Sequence, residues 1–332
     1  MKRLFYIAVF VSVVAVFFSL LCSAASAADA IVLRYATQMP KTHHLTVADY
    51  EFAKTVEEKT GGKVKIEVYP AGQLYKGVSL VKAVMSGAID MGITYGGALT
   101  GPLPMIDVFD IPFLFSDYQM IQQLWAGKVG ALIKDAALQK GIVMLSFGAY
   151  GDSFCIINSK RPIKSPPDLD GLKIRCNTPM AAESVKVLGA SPLMMSSSEV
   201  YAALQRGTVD GATTGLGTVV SRKWYEVAKY ATITSSSYSV WPVMINKGAW
   251  EKLPKEYQEV IRQAALANQQ RIIDNVIASD EKNTAAMQEK MAVYTLSAEE
   301  KAQWRQKLEK VSDSFVERTG KEGEQIIELI KQ

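Results

Sequence analysis

Chemistry-bearing side chains are scarce in this 332-residue chain, which has three cysteines and only two histidines, the neighbours His43 and His44. Three cysteines cannot staple a disulfide-built scaffold, and no pair of them has zinc-finger spacing. Adjacent histidines are not expected to face one another, which argues against a two-histidine metal site. The phosphate-cradling pattern G-x-x-x-x-G-K-[ST] is missing, as is the dinucleotide pattern G-x-G-x-x-G. Lys+Arg number 37 and Asp+Glu 33, for a formal net charge of +4. Nucleic-acid binding needs clustered positive charge to displace counterions, so no nucleic-acid partner is expected. Apolar residues make up 48% of the chain, too many for disorder, and the length suits two domains with real cores.

Its one long apolar run stands at the start. Lys2 and Arg3 precede a mostly apolar stretch from Leu4 to Leu21, followed by the small residues Ser23 to Ala28. A basic start, an apolar stretch and an Ala25-Ser26-Ala27 site read as a secretory signal peptide over residues 1–27. The rival reading is a membrane anchor, but the small-residue tail favours cleavage. Leu21 before Cys22 argues against a lipoprotein signal. The expectation is an exported periplasmic protein beginning near Ala28, where Cys155 and Cys176 are free to pair or to stay as buried thiols.

Beyond the leader, strand and helix patterns alternate. Ile31 to Ala36 is a short β run, Val47 to Lys59 has helical spacing, and Gly61-Gly62 stops it. Lys63 to Tyr69 alternates as a half-buried strand, Leu80 to Met85 is helical, and Ile89 to Thr94 is a strand. The pattern restarts with strands at 142–146, 153–158 and 172–176, a helix from Met180 to Leu188, a helix from Glu199 to Gln205 and a strand at 209–212. From Pro254 onward the chain reads as helix. Two α/β units built around open parallel sheets are expected, with ligands at the carboxyl ends of strands. The Gly96, Gly97 and Gly101 stretch reads as a turn that lets backbone approach a ligand or the other domain.

Catalytic constellations are weak. Gly151-Asp152-Ser153-Phe154 has the look of a hydrolase nucleophile block, but no histidine follows it in the chain. A Cys155–His43 dyad has nothing else behind it. Asp152, Asp168, Asp170 and Asp210 fall in loops or at strand ends and read as structural. Arg175 differs. In Gly171-Leu172-Lys173-Ile174-Arg175-Cys176 it sits at the carboxyl end of a strand, where its planar fork suits a carboxylate. A surface salt bridge is the alternative role.

Several blocks together resemble a known family. They are Gly171 to Arg175, Leu188 to Pro192 and Ser198-Glu199-Val200-Tyr201-Ala202-Ala203-Leu204-Gln205-Arg206-Gly207-Thr208-Val209-Asp210-Gly211. Earlier come Glu57 to Val64, Tyr69 to Leu74, Gly87 to Met91 and Ile111 to Phe115, and later Trp224 to Tyr230. In this order they closely resemble the TRAP solute-binding proteins, extracytoplasmic receptors of tripartite ATP-independent periplasmic transporters, of the four-carbon dicarboxylate-binding type.

The resemblance implies an α/β, two-domain periplasmic binding protein of type II-like form. It has a central ligand cleft, hinge strands and a long hinge-spanning helix, expected here from Gly217 to Lys229. Domain I is expected at 28–151 and 213–252, and domain II at 152–212 and 253–332. The implied function is reception of a small organic acid by hinge closure and delivery to membrane-embedded permease subunits, by a monomer without catalytic residues, cofactor or metal. An exported hydrolase of small esters is the alternative. Arg175 takes the place of the family's carboxylate-clamping arginine.

Three departures follow the resemblance. No second arginine stands near Phe154, Thr214 replaces a frequent asparagine, and Ser197 replaces a frequent aromatic. A single clamp with Thr214 and Phe154 beside it suggests a monocarboxylate with an apolar or aromatic body. Gln38, Tyr95 and Trp241 are further lining candidates from strand ends, and His43 and His44 are expected near the cleft mouth on the helix surface.

Overall fold

Val64, Ile66 and Val68 alternate with charged residues, and the computed structural model, which describes residues 30–331, makes this segment β2 (Val64–Tyr69), paired in parallel with β1 (Ile31–Thr37). The leader expected at 1–27 lies outside the described residues. Helix α1 (His44–Lys59) joins the two strands and buries Leu45, Phe52 and Val56 at helical spacing. Helix α2 (Gly77–Ser86) leads to β3 (Met91–Ile93). Short 3₁₀ turns at Gly96–Ala98 and Pro104–Asp110 precede α3 (Tyr118–Ala126) and α4 (Lys128–Gln139).

The long strand β4 (Ile142–Asp152) then hands the chain to β5 (Cys155–Asn158), β6 (Lys173–Cys176), α5 (Pro179–Val187), β7 (Ser191–Met194), α6 (Val200–Gln205), β8 (Gly211–Thr214), α7 (Leu216–Ser221) and β9 (Tyr230–Ile233). It returns through β10 (Tyr238–Asn246), α8 (Lys247–Lys252), α9 (Lys255–Gln288), β11 (Ala292–Thr295), α10 (Ala298–Thr319) and α11 (Lys321–Lys331).

Two sheets result, one of order β2-β1-β3-β10-β4 and one of order β11-β9-β5-β8-β6-β7. Neither is wholly parallel, contrary to expectation. β10 runs antiparallel to both β3 and β4, and β5 antiparallel to both β8 and β9. These are the strands carried over from the other lobe, so they enter in the opposite sense.

Sheet membership also departs from the expected boundaries. β8 and β9 pair in the second sheet, and the chain rejoins the first only at Tyr238. Residues 213–252 are therefore divided between the lobes. The long helix is α9, with 34 residues, rather than Gly217–Lys229. The latter segment breaks at Lys223, whose φ of 54° is left-handed, and holds only the short α7 and a 3₁₀ turn at Trp224–Glu226. Residues 255–288 contain neither glycine nor proline, which lets one helix run unbroken. α9 packs along β4 and α1, touches α7 and ends beside β11, so it spans both lobes. Among the described residues no helix is long and apolar enough to cross a membrane.

Candidate functional site

Arg175 is the penultimate residue of β6 and is 2% exposed. Its Nε donates to the Met195 carbonyl at 3.0 Å and its Nη1 to the Thr213 carbonyl at 3.1 Å. The guanidinium carbon lies 5.9 Å from the centre of the Trp224 ring. No carboxylate among the described residues comes within 4.0 Å of it. Burial pulls its pKa down to about 10. A desolvated cation fixed by neutral carbonyls, with no counter-charge, has the chemistry to pair with an anion.

A cavity of about 230 Å³ opens beside it, lined by Gln38, Lys76, Gly77, Val78, Ser79, Tyr95, Arg175, Ser196 and Ser197. The first six residues belong to the first lobe and the last three to the second. Gln38 follows β1 and fixes the wall by accepting the Gly77 amide on Oε1 at 2.9 Å. Gly77 is required there: its φ is +51°, and a Cβ would stand 3.1 Å from the Tyr95 hydroxyl. Burial raises the Tyr95 pKa, so the phenol is neutral and free to hydrogen-bond a ligand.

Contacts across the cleft hold the lobes together. Lys76 Nζ donates to Ser198 Oγ at 3.1 Å, and Arg222 Nη2 to the Gln38 carbonyl at 2.9 Å. Gly97, expected to allow close approach, does so: a Cβ there would stand 2.6 Å from Cγ2 of Thr178 in the other lobe.

Four of the expected residues, Arg175, Gln38, Tyr95 and Ser197, thus share one cavity. Trp241, Thr214 and Phe154 do not line it. Trp241 is 1% exposed and sits behind Tyr95 with ring centroids 5.9 Å apart. Tyr150 stacks on Trp241 at 5.0 Å, and its hydroxyl meets Thr214 at 3.4 Å and also Thr218. Phe154 is 2% exposed and borders a separate recess with Asp110, Thr178 and Ser237, of only about 10 Å³. Lys76, Ser79 and Ser196 were not anticipated. The strand-end rule applied to β2 leads to Lys76, whereas nothing local marks Ser196.

The histidines contradict expectation. His43 caps α1, is 1% exposed and stacks on His44 with centroids 4.4 Å apart, because the extended cap residue turns its ring back over the first helical residue. Burial holds both imidazoles below their usual pKa. Cys155 and Cys176 are free buried thiols. They lie on β5 and β6, with β8 between. Two strand spacings, roughly 9–10 Å, exceed the ~4.4–6.8 Å between α-carbons that a disulfide allows. Burial pushes the Cys155 thiol well up, so the contemplated dyad with His43 has no thiolate.

Residues 35–319 match the model of the bacterial extracellular solute-binding proteins, family 7. The C4-dicarboxylate-binding periplasmic protein DctP of Rhodobacter capsulatus is 33% identical over 311 residues, covering 92% of each chain. The 2,3-diketo-L-gulonate-binding periplasmic protein YiaO of Escherichia coli is 32% identical over 256 residues, or 74% of this chain and 78% of that one. A TRAP periplasmic solute-binding protein of Sulfurospirillum deleyianum, solved with bound succinate, superposes with a TM-score of 0.84 at 28% identity, covering 91% of this chain and 98% of that one. With both lobes matched and the arginine-bearing cavity lying between them, this chain belongs to the bacterial extracellular solute-binding proteins of family 7.

Proposed function

We propose that the chain is the extracytoplasmic receptor of a TRAP transporter, closing its two lobes on a small organic acid and delivering it to the membrane permease. The observation that carries this is Arg175, a buried guanidinium with no carboxylate partner facing an interlobe cavity. The acid's carboxylate supplies the missing counter-charge, and its arrival lets the opposite lobe pack against it. Closure changes the surface the two lobes present together, which is what a permease can read. Export follows from the leader, with cleavage proposed after Ala27.

The cavity wall revises the ligand expected from sequence. Phe154 contributes nothing to it, and its polar side chains are Gln38, Lys76, Ser79, Tyr95, Ser196 and Ser197. An acid bearing hydroxyl or further acidic groups fits this lining better than one with an apolar body. About 230 Å³ lies below the ~300–1,000 Å³ of drug-sized pockets and suits a metabolite of a few carbons. The hydrolase alternative is set aside. The family consists of receptors, and Ser153 Oγ donates to the Ser237 carbonyl and accepts the Ser239 amide instead of meeting a base.

A thermal-shift screen against small carboxylates tests the reading, since a ligand at 100 times its Kd adds ~2.7 kcal/mol of stability. Stabilisation by hydroxylated or dicarboxylic acids, and not by their amides, is expected. A panel in which no carboxylate shifts the melting curve would overturn it.

A further inference from the structure

Among the described residues three connections run between the lobes, and all three meet at one residue, Asp152. The first is β4 into β5 through Ser153 and Phe154, the second β9 into β10 through residues 234–237, and the third is α9. Asp152 ends β4 and is 6% exposed. Its Oδ1 accepts the amide of Phe154 at 3.2 Å, on its own connection. Its Oδ2 accepts the amide of Ser235 at 2.9 Å, on the second. Its own amide donates to Oδ2 of Asp280, on the third, at 2.8 Å. Ser235 has φ of 48°, a left-handed backbone that a residue with a side chain keeps only when its surroundings over-determine it.

We propose that Asp152 is a positioning residue for closure, whose negative charge fastens the two strand connections to each other and holds Ser235 in its left-handed backbone, while its backbone amide ties them to α9. This rests on the reading that the ligand is taken up by lobe closure. A protonated Asp152 accepts the two amides more weakly and brings an O–H into a site already crowded with donors. Facing it are Asp280 from α9, Lys301 from α10, the phenols of Tyr118 and Tyr238, and the Cys155 thiol. Burial raises the Asp152 carboxyl to about 6 against the pull of the two amides and Lys301. Burial lifts Asp280 to about 7, with a further push from the Asp152 charge. Acidification through about pH 6 therefore loosens the hinge.

Pulsed electron paramagnetic resonance tests this without a ligand. Spin labels go on Lys54→Cys in α1 and Lys186→Cys in α5, both exposed, in a chain also carrying Cys22→Ser. Buried Cys155 and Cys176 stay unlabelled. One interlobe distance is expected to dominate at pH 8, and a second to grow as pH falls through about 6. Asp152→Asn should show the second population already at pH 8, its ratio to the first raised roughly tenfold or more. Ser235→Gly added to Asp152→Asn should restore the first, because glycine holds the left-handed backbone unaided. Identical distances in parent and Asp152→Asn, or a parent unmoved by pH, overturn the proposal. Should Asp152→Asn not fold, the pH titration of the parent decides. A single distance in parent and variant that also stays unmoved when the acid found in the screen is added sinks the closure reading too, whereas a distance that shifts with that acid but is indifferent to Asp152 and to pH sinks this inference alone.

Discussion

Arg222, just beyond α7, donates from Nη2 to the backbone carbonyl of Gln38, the residue whose side chain walls the cavity from the opposite lobe. Its Nε is buried without a partner, and its charge lowers the pKa of Arg175 further. With Lys76 on the facing wall, three cations thus share the interlobe region, where an anion would offset their charge. Replacing Arg222 with Met removes the cross-lobe bond and one cation. Affinity for the acid found in the screen is expected to fall about tenfold or more, from ~1.5–3 kcal/mol for a hydrogen bond to a charged donor. Calorimetry checks this, and an unchanged Kd contradicts it.

Gly97 lies against Thr178 across the lobes with no room for a methyl group. Gly97→Ala forces the lobes apart while leaving each lobe's own core untouched. Ligand affinity should drop by about 5- to 150-fold, on the scale of ~1–3 kcal/mol for overpacking, with far-ultraviolet circular dichroism unchanged. Wild-type affinity in this variant would show that the lobes do not need this contact.

The thiols make a chemical prediction. Strand β8 separates Cys155 from Cys176, and burial pushes the Cys176 pKa up to about 12. Iodoacetamide should leave both unmodified in the native protein and alkylate both in urea without reductant. A mass two hydrogens light, with neither residue alkylated in urea, would establish a disulfide.

Asp49 is buried on α1, accepts the Tyr35 hydroxyl on Oδ1 at 2.6 Å and leaves Oδ2 without a partner. Burial raises its pKa to about 7, the Tyr35 bond opposing. A carboxyl raised in the native state binds more protons folded than unfolded between its unfolded pKa near 4 and about 7. Its ionisation cost is therefore absent below about pH 4, grows as pH rises and is complete above about 7. Asp49→Asn keeps the acceptor for Tyr35 and removes the charge. Relative to wild type, it should gain stability progressively from pH 4 to 8, which urea denaturation at several pH values measures. A difference independent of pH would contradict the burial argument.

Much of this was legible from residues alone. The strand-end rule found Gln38 after β1, Tyr95 after β3 and Arg175 on β6, because in each case a parallel strand delivers the next side chains to the cleft. It could not tell that Phe154 and Trp241 lie one layer back, since that depends on how the crossing strands enter the other lobe. The residues from Pro254 onward show a helical run, which is α9, whereas resemblance alone points to a hinge helix at Gly217–Lys229, where Lys223 adopts a left-handed backbone. β7 escaped notice because its Ser-Pro-Leu-Met sequence lacks a strand pattern, and only its place at the sheet edge makes the proline tolerable. The burial of His43 was equally hidden, because Tyr150, whose ring stacks on it, is more than a hundred residues away.

Titration calorimetry of wild type and Arg175→Lys with the acid identified in the screen is the most direct measurement. Lysine keeps the charge but loses the fork and its bonds to Met195 and Thr213. The expected outcome is a folded protein whose affinity falls roughly 30- to 5,000-fold, from ~2–5 kcal/mol. Binding of equal strength in the two proteins would contradict the assignment of Arg175 as the anchor of the ligand carboxylate.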